Sequence, residues 1–152
     1  MENLKKNNNK ALFYQEEFEY FSNFSAYQIE YDGLLWPTTE HAYQAAKFSN
    51  KKIKNNILKA KTPLEAFSIS RDPKNILRKD WFKIRVKIME DIIREKVKQH
   101  PYVYSKLIET GDKEIIEASP IDSFWGWGSD KKGENQLGKI WMKIREEIIN
   151  NK

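Results

Sequence analysis

The stretch that decides the fold is Trp36-Pro37-Thr38-Thr39-Glu40-His41-Ala42-Tyr43-Gln44-Ala45-Ala46-Lys47-Phe48. Pro37 favours a turn or the start of a helix, and Thr38 or Thr39 can cap that helix by accepting a hydrogen bond from a free backbone N–H. Glu40 then falls in the first turn, where the helix dipole favours a negative charge. The residues that share one face of this predicted helix are Glu40, Tyr43, Gln44 and Lys47.

This helix face holds a carboxylate and an amine two turns apart, so roughly 10 Å separates their backbones. The long side chains of Glu40 and Lys47 can reach into that gap from either end and meet a small substrate. Small residues on the same helix allow neighbouring elements to approach it closely; they are Ala42, Ala45 and Ala46. The alternative interpretation is a solvated helix with ordinary end charges, which is a common pattern.

Length and composition predict one folded domain. The chain has 152 residues, enough for a single domain with a real core, and 13% of them are aromatic, which argues against disorder. We therefore expect a core built from large rings. Residues 1–10 are polar and rich in Asn and Lys, which predicts a flexible N-terminus followed by one domain over residues 11–152.

The absence of cysteine excludes disulfides, thiolate nucleophiles and cysteine-based zinc sites. The two histidines, His41 and His100, are far apart in sequence, so a His-rich metal site is excluded as well. We expect neither a metal nor a cofactor. No apolar run has membrane-spanning length and no signal peptide is recognisable, so we expect a cytoplasmic protein that does not contact membranes.

The formal net charge of +5 suits a phosphate-bearing ligand, although ordinary solubility explains it equally well. The lysines are dispersed along the predicted helices and are not gathered into a tract. The charge pattern therefore does not indicate a broad nucleic-acid groove.

Hydrophobic periodicity predicts mostly helices with a few strands. Alternation over residues 27–31, the turn Asp32-Gly33 and the return at residues 34–36 predict a β-hairpin that leads directly into the Glu40 helix. Further strands are expected near Phe13 and over residues 114–118. Helices are predicted over residues 50–61, from the capping box at Thr62 to residue 70, over residues 80–99 and 101–109, and from about Asn135 onward.

Two loops could serve either packing or binding. Ser22 and Asn23 lie between Phe21 and Phe24, an arrangement typical of a turn packed on a core or of a polar pair held out to a ligand. Residues 122–138 hold four of the six glycines and two of the five tryptophans. Such a loop lets a ligand approach the main chain, and it feeds a helix N-terminus that could bind phosphate, but many glycine-rich loops are only turns.

Together these residues resemble the YbiA-like, or NADAR, N-glycosidase superfamily. The resemblance covers nearly the whole chain from Phe13 and rests on four pieces in the family's order and spacing. They are Phe21-Ser22-Asn23-Phe24; residues 36–48; Asp80-Trp81 with Arg85 and Met89; and residues 122–128 with Gly133, Asn135, Leu137, Gly138, Met142 and Arg145. One departure is Trp141, where similar proteins often carry a smaller aliphatic residue, and we expect it to affect packing more than chemistry.

The resemblance implies a single, compact, mostly helical α+β domain with a small β-hairpin. It also implies hydrolysis of the N-glycosidic bond between a ribose carbon and a base or base-like amine. Some family members act on phosphorylated early intermediates of riboflavin synthesis, and others remove ADP-ribose from modified guanine. The family positions correspond to Glu40, Lys47, Trp81 and Asp122.

The expected chemistry assigns a role to each of these positions. Glu40 is the candidate general acid/base, and Lys47 could attack the anomeric carbon as a neutral amine and form a Schiff base with the opened sugar. Asp122 could orient a sugar hydroxyl or water, and Trp81 could stack on the flat base, although a buried tryptophan of the core is the alternative. The other substrate-binding candidates are Asn23, Tyr43, Gln44, Arg85, Trp125, Gly126, Gly128 and Asn135.

The favoured substrate is a small ribosyl phosphate of early riboflavin synthesis, with ribose 5-phosphate as the released product. The main alternative is an ADP-ribosyl-guanine glycohydrolase, for which nucleic acid would matter only as the modified substrate. A non-catalytic ADP-ribose or NAD binder would use the same loops, with Glu40 and Lys47 forming only an ion pair. An RNA-binding module is disfavoured because no basic groove is indicated.

Overall fold

The computed structural model describes residues 9–14 and 18–151. The elements in chain order are β1 (Lys10–Phe13), a 3₁₀ turn (Glu19–Phe21), β2 (Ile29–Tyr31), β3 (Leu34–Trp36), α1 (Thr39–Ala46), α2 (Lys51–Leu58), α3 (Pro63–Ser70), α4 (Trp81–Gln99), α5 (Pro101–Glu109), β4 (Glu114–Glu117) and α6 (Gln136–Asn150). They form two compact units. The central unit is Asn23–His100, and the terminal unit combines Met1–Ser22 with Pro101–Lys152.

The central unit begins with the predicted β-hairpin. Strands β2 and β3 pair antiparallel, with Ile29 opposite Trp36 and Tyr31 opposite Leu34. Asp32 and Gly33 both have positive φ angles, +53° and +78°, as a two-residue type I′ hairpin turn requires. The indole N–H of Trp36 donates to the Tyr31 carbonyl at 2.9 Å, which fixes the point where the chain enters α1.

Helix α1 lies at the centre of this unit. Every residue from Thr39 to Ala46 is buried, because α2, α3 and α4 all pack around the helix. Its N-terminus is capped as the sequence predicts, with the Thr38 hydroxyl accepting from the His41 N–H at 3.2 Å. The alternative of a solvated helix is therefore wrong, and the small alanines explain how three helices approach it closely.

The neighbouring helices begin at recognisable caps. The Asn50 side chain accepts from the N–H groups of Lys52 and Ile53 at the start of α2. Thr62 accepts from the Glu65 N–H at 3.0 Å, and the Glu65 carboxylate accepts from the Lys61 N–H at 3.0 Å, one residue before the usual position in a capping box. These bonds satisfy backbone groups that would otherwise lack a partner.

The terminal unit is built around a two-stranded parallel sheet. Lys10 of β1 pairs with Glu114 of β4, and Phe13 pairs with Glu117. Helix α6 packs against β4. Trp141 of α6 is fully buried, with its ring centre 4.7 Å from that of Phe21 and its N–H donating to the Phe21 carbonyl at 3.2 Å. This placement in the core agrees with the expectation that Trp141 affects packing.

The structure confirms the mostly helical α+β fold class. Of the predicted flexible stretch 1–10, residues 1–8 lie outside the described residues, and Lys10 already belongs to β1. The single domain over residues 11–152 stays a prediction. Among the described residues, no helix is long and apolar enough to cross a membrane.

Candidate active site

Glu40 lies in the first turn of α1, with only 7% of its surface exposed. Its backbone N–H donates to the Asn23 carbonyl at 3.2 Å. Its carboxylate accepts from the Gln44 amide one turn further along the helix, where Gln44 Nε2 and Glu40 Oε1 are 2.6 Å apart. A buried carboxylate is thus held at both its backbone and its side chain.

Asn23 supports the start of this helix. Its Oδ1 accepts from the Thr39 hydroxyl at 2.9 Å, and its Nδ2 donates to the Met89 sulfur at 3.4 Å. Because the amide oxygen and nitrogen both have partners in the protein and the residue is 8% exposed, these contacts favour a packed turn that fixes Glu40. A direct contact between Asn23 and substrate stays a prediction.

Lys47 follows the last residue of α1. Its Nζ lies 5.4 Å from the centre of the Tyr43 ring, and its carbonyl accepts from the Arg78 N–H at 2.8 Å. Burial lowers the pKa of the Lys47 amine below its ordinary value, Glu40 opposes this shift, and the nearby positive charges of Arg71 and Arg85 add to it. The environment therefore makes this amine easier to deprotonate than an exposed lysine, as a lysine nucleophile requires.

Trp81 opens α4 and packs against α1. Its ring centre is 5.3 Å from that of Tyr43, and only 2% of the residue is exposed. This burial fits the core alternative, and stacking on a base stays a prediction. Arg85, one turn further along α4, is half-buried with its guanidinium 5.3 Å from the Phe82 ring centre.

The central unit thus gathers most of the predicted site residues, and it adds one that the sequence analysis missed. Arg71, the residue that ends α3, is close enough to Lys47 to influence its pKa. Lys47 directly follows α1 and Arg71 directly follows α3, so no periodic pattern connects them in the sequence. The positive charge directly after α3 is the only local signal.

A groove of about 780 Å³ in the same unit is lined by other residues: Glu30, Tyr31, Asp32, Gly33, Leu34, Leu35, Glu95 and Gln99. None of the predicted site residues contributes to it. We place the candidate site at Glu40 and Lys47 because the chemistry needs an acid and a desolvated amine, which this groove does not offer.

The glycine-rich segment belongs to the terminal unit. Asp122 Oδ1 accepts from the N–H groups of Phe124 and Trp125 at 2.9 and 2.8 Å, and the Asp122 N–H donates to the Ser119 hydroxyl at 3.0 Å. Asp122 therefore closes a turn with one carboxylate oxygen. Trp125 is half-buried, with its ring edge-on to Phe124 at 4.8 Å between centres.

Two glycines of this segment are needed for the chain to pack on itself. A Cβ on Gly126 would lie 2.6 Å from the Glu117 carbonyl oxygen. Gly128 has a φ of +71°, and a Cβ there would lie 2.9 Å from the Ser123 Cβ. Both glycines thus have a structural explanation, and their contact with substrate stays a prediction.

Asn135 joins this loop to β4. Its Nδ2 donates to the Ile115 carbonyl at 2.9 Å, and its Oδ1 accepts from the Glu117 N–H at 3.0 Å. The side-chain amide thus pairs with β4 as a neighbouring strand would. Both polar atoms of the side chain are therefore used within the terminal unit.

The start of α6 is closed by the same loop. The N–H groups of Asn135, Gln136 and Leu137 donate to the carbonyls of residues 126, 124 and 125, at 3.0, 3.0 and 3.1 Å. The idea of a phosphate bound by this helix N-terminus needs correction, because these donors already have backbone acceptors. Among residues 9–14 and 18–151, no three His, Cys, Asp or Glu side chains are gathered in a metal-binding arrangement.

Comparisons with known proteins identify the family. A family model described as the NADAR domain matches residues 12–149. N-glycosidase YbiA of Escherichia coli is 36% identical over 90% of this chain and 86% of its own length. An N-glycosidase of Nostoc punctiforme is 43% identical over 86% of this chain and 85% of its own length. A riboflavin biosynthesis protein of Vibrio vulnificus is 41% identical over 90% of this chain, which spans only 38% of that protein.

The structural comparison gives the same result. The NMR structure of Escherichia coli YbiA matches with a TM-score of 0.85 and 34% sequence identity, covering 95% of this chain and 87% of that one. The predicted YbiA-like fold is confirmed, and so is the prediction of an N-glycosidase, since relatives that the chain covers almost fully carry that name. The chain belongs to the NADAR domain family.

Proposed function

We propose that this N-glycosidase hydrolyses the bond between a phosphorylated ribose and a base-like amine, as in the early intermediates of riboflavin synthesis, and releases ribose 5-phosphate. The observation that carries the proposal is the environment of Lys47, whose pKa is lowered by burial at the end of the helix that also carries Glu40. A desolvated amine near a buried carboxylate suits a reaction that needs a nucleophile and a proton donor.

The proposed reaction uses both groups in sequence. Glu40 in its acid form gives its proton to the departing nitrogen, and the electron pair of the broken C1–N bond stays on that nitrogen. The neutral Lys47 amine forms a bond with C1. The C1–O4 bond of the ring then breaks, a proton passes from the lysine nitrogen to O4, and the opened sugar is held as a protonated Schiff base. Water then adds to this Schiff base, the C1–N bond to Lys47 breaks to release the sugar, and the proton left on the amine returns to Glu40, which restores both groups.

The cations around Lys47 support a phosphorylated sugar. Arg71 and Arg85 are close enough to Lys47 for their positive charges to lower its pKa further. Arginine offers a planar fork of donors that matches phosphate geometry. Because the start of α6 is closed by its own loop, we assign the phosphate to these side chains and not to that helix N-terminus.

The choice of a riboflavin intermediate rests on the name of the Vibrio vulnificus relative, a riboflavin biosynthesis protein. This chain spans only 38% of that protein. A riboflavin intermediate as the substrate of this chain is therefore our proposal. The alternative is ADP-ribosylated guanine, since two arginines could also bind a diphosphate. A binder without catalysis is less suitable, because it has no need for an amine with a lowered pKa.

Parallel assays test the proposal. The substrates are a ribosylaminopyrimidine 5-phosphate, its dephosphorylated form and ADP-ribosylated guanine, each with wild type and Lys47→Met, and products are measured by mass spectrometry. We expect ribose 5-phosphate from the first substrate with wild type alone. Cleavage of ADP-ribosylated guanine with none of the first substrate would reverse the choice of substrate. Equal cleavage of the dephosphorylated form would contradict the role of the arginines.

A further inference from the structure

Gln44 combines a short hydrogen bond with an unsatisfied acceptor. Only 2% of the residue is exposed, and its Nε2 lies 2.6 Å from Glu40 Oε1. Its own Oε1 is buried and has no hydrogen-bond partner in the described part of the chain. Buried polar atoms normally have partners, so an acceptor left unsatisfied next to a candidate acid/base needs an explanation.

An ionised Glu40 would explain why the amide nitrogen of Gln44 faces it. An ionised carboxylate can only accept, so it attracts the Nε2 hydrogens and would repel Oε1 at the same distance. The bond is charge-assisted, which agrees with its short length. Once Glu40 carries a proton, the preference reverses, because the carboxylic O–H then needs an acceptor.

A half-turn about the last side-chain torsion of Gln44 exchanges its oxygen and nitrogen. This torsion is soft and has two roughly equivalent positions. After the exchange, Oε1 faces Glu40 and can accept its O–H. The same residue can thus satisfy either protonation state without any movement of α1.

We propose that Gln44 is a positioning residue that follows the proton on Glu40, donating to the carboxylate and, after rotation of its amide, accepting from the carboxylic acid. The inference rests on the proposed function, in which Glu40 passes through both states. It assigns to Gln44 a role other than contact with substrate.

The charged groups around Glu40 and Lys47 are the same in wild type and in the Gln44 variants proposed below. Lys47 at the end of α1 interacts with Glu40, and Arg71 after α3 and Arg85 on α4 lie around that amine. His41 is on the same helix, but its ring is hydrogen-bonded to Thr38 and to the Ala60 carbonyl. A difference between wild type and a Gln44 variant therefore isolates the contribution of the amide.

The first test measures the ionisation of Glu40 without any need for turnover. The ¹³C signal of its carboxyl carbon, assigned with Glu40→Gln, is titrated in wild type and in Gln44→Met, which keeps a similar side-chain length and removes the hydrogen bond. Gln44→Met removes the bond to both states of Glu40, and because the bond to the ionised carboxylate is the stronger of the two, the midpoint should rise by about one pH unit. An unchanged midpoint in folded Gln44→Met would overturn the proposal.

The second test follows the amide itself. The side-chain N–H signals of Gln44, assigned by their loss in Gln44→Met, should change with the same midpoint as the Glu40 carbon. If the Gln44 N–H chemical shifts stay constant while Glu40 is titrated, the amide does not follow the proton. If Gln44→Met does not fold, Gln44→Leu replaces it in the first test, with the same expected rise in the Glu40 midpoint.

Gln99→Met is the matched control. The Gln99 amide bonds the N–H and carbonyl of Glu30 in the same unit, at 2.7 and 2.8 Å, and contacts no candidate site residue. This variant should lose stability and leave the Glu40 midpoint unchanged. With an active wild type, Gln44→Met should lower kcat more than it changes KM. A shifted midpoint in a protein that cleaves no ribosyl compound would support the inference and contradict the proposed function.

Discussion

The Lys47 ammonium nitrogen lies 5.4 Å from the centre of the Tyr43 ring, one turn back on the same helix. An aromatic face attracts a cation, but the burial that brings the two together also removes water from the amine. The net effect is a lowered pKa for Lys47. The surroundings of Lys47 thus make its amine easier to deprotonate.

Replacing Lys47 with Met should abolish turnover and leave the fold intact or more stable at neutral pH. A lysine with a lowered pKa in the folded state binds fewer protons than in the unfolded state, so its presence costs stability below the folded pKa. This cost declines as the pH rises toward the ordinary lysine value. The stability difference between Lys47→Met and wild type, measured by urea unfolding, should therefore shrink with pH. A near wild-type rate in Lys47→Met would rule out the nucleophile.

Borohydride added during turnover should trap the sugar on Lys47. Reduction of a Schiff base gives a stable amine, so mass spectrometry of a digest should find the sugar mass on the peptide that contains Lys47. Lys54 offers a control within the same unit, because it pairs with Asp32 at 4.0 Å and takes no part in the proposed reaction. An adduct on both lysines would indicate non-specific modification.

Glu40→Gln should lower kcat by about two to four orders of magnitude, the usual contribution of general acid–base catalysis. The variant keeps the size of the side chain and the backbone bond from residue 40 to the Asn23 carbonyl. Chelators should not affect wild type, because the sequence offers no cysteine and only two separated histidines as soft metal ligands. Steady-state rates with and without chelator check both points, and activation of chelated enzyme by a divalent ion would contradict them.

Asn23→Ala should destabilise the protein by about 1–3 kcal/mol and lower kcat as well, because it removes the amide that holds Thr39 and Met89 beside Glu40. Asn75→Ala is the matched control, since that amide donates to the Ile69 carbonyl at the end of α3. Thermal unfolding and kcat are measured for both variants. If Asn75→Ala lowers kcat as much as Asn23→Ala at equal loss of stability, the effect is general and not specific to Glu40.

Trp81→Ala should weaken ligand binding by roughly 1–3 kcal/mol if the ring stacks on a base, and Trp81→Phe should keep much of that binding. Because Trp81 is only 2% exposed, the truncation should also lower stability by about 3–5 kcal/mol. Calorimetric titration on protein that circular dichroism shows to be folded separates the two effects. Normal binding by folded Trp81→Ala would assign the residue to the core alone.

Local sequence signals predicted the fold well where a single residue type determines the backbone conformation. Asp32-Gly33 gives the tight hairpin turn because both positions need positive φ, and Pro63 after Thr62 gives the start of α3. The end of α2 was placed too late, since helix ends depend on which groups satisfy the last carbonyls and not on periodicity alone. The strand pairing of β1 with β4 has no local signal.

The candidate site was predictable to a similar degree. Helix spacing alone joins Glu40 to Gln44, and their hydrogen bond has the expected separation of four residues. In contrast, the closure of the α6 N-terminus depends on three carbonyls of the preceding loop folding back, which composition does not reveal. The influence of Arg71 on Lys47 depends on the packing of α3 against α1, and such contacts are fixed only by the tertiary structure.

The pairing of β1 with β4 affects the order in which the chain can fold during synthesis. Lys10 emerges from the ribosome before the central unit, but its partner Glu114 emerges only after the whole central unit has been translated. Closing so long a loop carries a large entropic penalty until other contacts support it. We therefore expect the terminal unit to complete its sheet late, which leaves the backbone groups of β1 without their β4 partners until then.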